Sequence, residues 1–68
     1  MTRVEHVIIP LKGQGRIIIG DELGEAFLEI ETGPRGDKSS CSIDLTAEAA
    51  YHLIHAIQDE ARRRRWPL

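Results

Sequence analysis

His52, His55 and Asp59 are the side chains whose types come nearest to a metal centre. Imidazole and carboxylate are both zinc donors. On a helix, however, these three fall at positions i, i+3 and i+7, a span of two turns, too long for one ion. The tighter H-E-x-x-H pattern is absent. The expectation is no metal, with His52 and His55 facing solvent or a partner. If they face a partner, association weakens as the imidazoles gain charge near about pH 6.

Other chemistry-bearing residues are equally unsupported. Cys41 is the only cysteine, and a nucleophilic thiol needs a nearby base in an electropositive setting. Only His6 among the strand residues offers an imidazole, so Cys41 reads as a small buried hydrophobe. Glu25, Glu29 and Glu31 share one face of a predicted strand. They could form an acid pair, but so small a sheet forms no pocket, and a wet face or one opposite Arg16 is the simpler expectation. Gly13-Gln14-Gly15 lacks the Gly-Lys-Ser/Thr ending of a phosphate loop and precedes a strand. Arg35-Gly36-Asp37 looks like the tripeptide that integrins read, but in this setting it reads as a polar loop. Acid, base and nucleophile do not converge, so the expectation is a non-enzymatic chain with no catalytic residue and no cofactor.

The remaining stretch is "ARRRRWPL", residues 61–68. Helix chemistry accounts for much of it. Cations in a last turn meet the negative end of the helix dipole. Asp59 with Arg63, and Glu60 with Arg64, are acid-before-base pairs four apart, the favourable order. The functional reading is a contact surface: guanidinium forks suit carboxylate or phosphate, and Trp66 suits a partner's pocket or a stacked base. The candidate partner-binding residues are therefore Arg62, Arg63, Arg64, Arg65 and Trp66, with His52 and His55 nearby. A protein partner is expected ahead of nucleic acid. The other basic residues are only Arg3, Lys12, Arg16, Arg35 and Lys38, set among 11 acidic ones, and the net charge is −2. Nucleic-acid binders normally present a whole basic face.

The elements that must position these residues are legible in the pattern. Glycine and proline fall between residues 10 and 36, apart from Pro67, which divides the chain into strands first and a helix last. Residues 3–9, rich in β-branched side chains, end at Pro10. Residues 16–20 form an apolar run. Residues 25–32 alternate, with Ala26, Leu28 and Ile30 opposite the glutamates, and residues 40–45 alternate again through Cys41, Ile43 and Leu45. Turns are expected at 12–15 and 21–24, with a longer loop at 33–40. Thr46 is a helix N-cap, and Glu48 suits the first turn. Ala47, Ala50, Leu53, Ile54, Ile57 and Ala61 then follow one helical stripe to about residue 65. Pro67 disfavours continuation.

The predicted fold is α+β: a three- to four-stranded antiparallel meander, then one long amphipathic helix packed on one sheet face, as a single domain over residues 1–68. Phe27, with alternate members of Val7, Ile9 and the 17–19 run, is expected on the opposite face. The layout around "DLTAEAAYHLIHAI" resembles that of small bacterial and phage proteins, a likeness confined to the last third that implies a non-enzymatic accessory role. A chain of 68 residues has a thin core, and one cysteine allows no internal disulfide. Self-association, in a twofold homodimer, is the expected supplement. A lone thiol and the lack of a signal-peptide core or membrane-length apolar run place it in the cytoplasm, away from membranes.

Overall fold

Four β-branched or alternating stretches become four strands. The computed structural model describes residues 2–33 and 39–68, and in it β1 (Arg3–Leu11), β2 (Gly15–Glu22), β3 (Glu25–Thr32) and β4 (Ser39–Asp44) form one antiparallel sheet in the order β1-β2-β3-β4. Helix α1 (Ala47–Arg64) follows. The Arg35-Gly36-Asp37 loop lies outside the described residues.

The strands run further than the turn residues suggest. Pro10 does not end β1 but pairs with Arg16 inside it. An edge strand has every second N–H pointing away from its neighbour, so a missing donor is tolerated there. The β2–β3 turn shrinks to Leu23 and Gly24, both at positive φ (54° and 82°), as a two-residue hairpin on a right-twisted sheet requires. In β1 the register slips between Glu5 and Val7, leaving His6 as a bulge. Gly20 sits opposite that irregularity; a Cβ there would stand 2.0 Å from the Val4 carbonyl oxygen. The close strand approach admits glycine only.

Register separates two unlike faces. One collects Val7, Ile9 and Leu11 of β1, Ile17 and Ile19 of β2, Leu28 and Ile30 of β3, and Cys41 and Ile43 of β4. The other carries Ile8, Ile18 and Phe27 among Arg3, Glu5, Arg16, Glu29 and Glu31. The expectation that Phe27 shares a face with Val7 and Ile9 is therefore not met, although Ile18 of the 17–19 run does lie on its side. The side chains that are buried lie on the charged face: Ile18 at 0% exposure and Phe27 at 5%. Long charged side chains lie over them, their apolar stems serving as cover. Val7, Ile9, Ile30 and Ile43 on the apolar face remain exposed.

The helix does not cover that face. Thr46 caps it as expected, its Oγ1 accepting from the Ala49 amide at 3.0 Å, with Glu48 in the first turn. Yet no helix Cα comes within 8 Å of a strand Cα among the described residues. The connector between β4 and the helix is short. The Leu45 amide donates to the Ala26 carbonyl at 2.9 Å, prolonging the ladder past β4, and Thr46 is extended (φ −83°, ψ 165°). Packing of the helix on its own sheet is thus not found. Leu53, Ile54 and Ile57 stay exposed, and among helix residues only Ala61 is buried.

Candidate partner-binding surfaces

The helix end is built by its own backbone. Arg65 adopts the left-handed conformation (φ 59°, ψ 38°). Its amide donates to the Arg62 carbonyl at 3.4 Å, and the Trp66 amide donates to the Ala61 carbonyl at 2.9 Å. These two bonds are the Schellman pattern, which usually brings an apolar contact between the residue after the turn and one a turn back. Here those residues are Trp66 and Ala61, and Ala61 is 4% exposed. The backbone of Trp66 is thereby held to the helix end, while half of the residue remains open to solvent. Gln58, Ala61, Arg62, Trp66 and Leu68 line a shallow cleft at this tip.

The arginines are partly self-neutralised. Arg62 Nη1 donates to Asp59 Oδ1 at 3.2 Å, and Arg63 and Arg64 both donate to Glu60. The Asp59–Arg63 pair expected from spacing is replaced by Asp59–Arg62, three apart, an equally reachable neighbour. All these pairs are solvent-exposed on the arginine side, so their contribution to stability is small. The Arg64 guanidinium stands 5.9 Å from the Trp66 ring centroid, within cation–π range. Four cations face two carboxylates over residues 59–65, leaving the tip positive.

His52 and His55 do not join this tip. Helical rise puts them roughly 10–20 Å away along the axis. They instead flank Tyr51, whose ring centroid lies 5.5 Å from that of His52, edge-on, and 4.3 Å from that of His55. Tyr51 is a contact residue that the sequence pattern did not single out, although its i, i+4 spacing from His55 was there to be read. Among the described residues no group of three or more His, Cys, Asp or Glu is placed to hold a metal ion.

A third cluster lies on the charged sheet face. Arg3 donates to Glu29, donates to Glu5 Oε2 at 3.3 Å, and lies 4.4 Å above the Phe27 ring. Arg16 Nε donates to Glu31 Oε1 at 2.8 Å, directly across the β2–β3 register. The hydrogen bond to Glu29 comes first among the causes that raise the Arg3 pKa above its ordinary value, and that to Glu31 first among those that raise Arg16. These arginines are tied down by carboxylates and roof the small core. His6 Nε2 contacts Asp21 Oδ1 beside the bulge, with β2 and β3 standing between it and Cys41. Cys41 itself is exposed, because the apolar face on which it lies has no cover, so its expected burial is not found within one chain. Among the described residues no helix is long and apolar enough to cross a membrane.

Comparison with protein-family models, with curated proteins and with solved structures finds no match to this chain.

Proposed function

We propose that this chain is a small non-enzymatic protein-interaction module that works as a homodimer in the cytoplasm. It presents Trp66 and Arg62 to Arg65 to an acidic surface of a partner protein. The observation that carries this reading is the half-open Trp66, its backbone bonded to the helix end, beside a cluster of arginines. Interfaces draw much of their affinity from buried Trp and Arg anchors, and an anchor already held in place loses little freedom on binding. Tyr51, His52 and His55 form a flanking patch further up the same helix.

Nucleic acid is the second reading, favoured by the excess of guanidinium over carboxylate at the tip. Against it stands the sheet, whose polar face carries Glu5, Glu29 and Glu31 and whose two arginines there are already paired. Affinity capture and an oligonucleotide titration separate the two. Wild type is expected to retain a discrete acidic protein, and Trp66→Ala to weaken that retention at least tenfold, the loss of one anchor. Mixed-sequence DNA and RNA at low salt are expected to give no shift. A shift that falls steeply with salt and disappears in the Arg62 to Arg65 alanine variant would install the second reading instead.

A further inference from the structure

We infer that two copies of this chain exchange helices, the apolar stripe of each α1 lying across the open apolar sheet face of the other. The inference rests on the dimeric reading above and specifies which surfaces meet.

One copy alone leaves two apolar surfaces bare. The sheet offers Val7, Ile9, Ile30 and Ile43, and the helix offers Leu53, Ile54 and Ile57. Exposed patches of this extent on a small chain mark interaction sites. The two surfaces suit each other in length: 18 helical residues span about 27 Å at 1.5 Å each, and the eight residues of β2 about 26 Å. They do not meet within one chain, in which Leu45 continues the sheet ladder and Thr46 is extended.

The area left open also fits a second copy. The accessible surface is 5658 Å², whereas a folded monomer of 7.7 kDa exposes about 4,300 Å². The excess, about 1,300 Å² per chain, is what each partner of an obligate dimer buries. The radius of gyration, 13.7 Å, likewise exceeds the roughly 11 Å of a compact chain of this length. Helix-against-helix pairing would use one bare surface and abandon the other. Exchange uses both, and twofold symmetry forms the contact twice and closes the assembly.

The single native cysteine makes the exchange testable. Cys41 lies on the apolar sheet face, so Ile54→Cys places a second thiol on the surface proposed to cover it. Isotope-labelled and unlabelled chains are mixed, unfolded, refolded together and oxidised mildly. The expected product is a covalent species of twice the chain mass. Its disulfide peptide, linking Cys41 to the thiol introduced at position 54, joins labelled to unlabelled chain in about half the molecules. The same link confined to single chains overturns the inference in favour of a fold-back helix. Links only between two copies of position 54, or two copies of Cys41, overturn it in favour of helix pairing or sheet stacking. If Ile54→Cys fails to fold, Ile57→Cys serves the same purpose. Sedimentation of the wild-type chain provides a separate check: a folded 7.7 kDa species at micromolar concentration sinks the exchange. Failure here leaves retention of a partner through Trp66 untouched, and loss of that retention in Trp66→Ala leaves the cross-link unchanged.

Discussion

Arg65 holds a backbone conformation that β-carbon-bearing residues resist and glycine adopts freely. The left-handed region costs a typical L-residue about 1 kcal/mol. Arg65→Gly should therefore raise stability by about 0.5–1 kcal/mol, read as a higher denaturation midpoint with an unchanged slope. Arg3 is the opposite case, a side chain whose absence is felt through its neighbours. Arg3→Ala uncovers Phe27 and strips Glu29 of its partner, so the variant is expected to be less stable than wild type. Because pairing raises the Arg3 pKa, its contribution is complete below the ordinary arginine range and is lost only as pH climbs through the raised value. The gap in midpoint between wild type and Arg3→Ala should hold constant from pH 7 to 10, measured by urea titration. A gap that closes within that range would mean that another titrating group carries the effect.

These two residues also mark the reach of sequence reading. The Thr46 cap, the acidic first turn and the stop near Pro67 are local and were readable from neighbours in the chain. The meeting of Arg3, Glu29 and Phe27 depends on a register across three strands, shifted by a bulge that no residue type announces. The residue type of Trp66 marks an anchor, but its backbone is held by a turn in which arginine stands where glycine is usual, so no glycine signals it.

At the scale of elements, periodicity carried the four strands and the helix, because alternation and the helical stripe are written in the order of side chains. It did not carry where the helix goes. The two-residue connector continues the ladder through a hydrogen bond to Ala26 on another strand, which no residue type announces. Gly20 shows the same dependence on tertiary surroundings. Its sequence context is an ordinary strand end, yet the backbone of β1 crosses too near for a methyl group. Gly20→Ala is expected to destabilise the chain by about 3 kcal/mol, since the obstacle is a carbonyl of the main chain that cannot swing aside. Thermal unfolding followed by far-ultraviolet dichroism would record it as a drop of many degrees.

The whole molecule, taken as one copy, has a core of Ile18 and Phe27 and little else that is large and apolar. Most of its apolar surface awaits cover. Ile57→Asp sets a charge in the middle of the helix stripe and should lower self-association by at least a hundredfold, about 3 kcal/mol by the usual conversion. Sedimentation equilibrium over a dilution series measures this directly. If the helices exchange as proposed, folding and pairing are one event and the same substitution should reduce stability in proportion.

The unlike margins of the sheet set a limit on growth. At the β1 side, Pro10 and the His6 bulge spoil the template an incoming strand would need. At the β4 side the ladder is regular through its six residues. Should molecules ever zip together sideways through their β4 margins, each new edge would end in a blunted β1, and the ribbon would stop at two sheets without running on into a fibril.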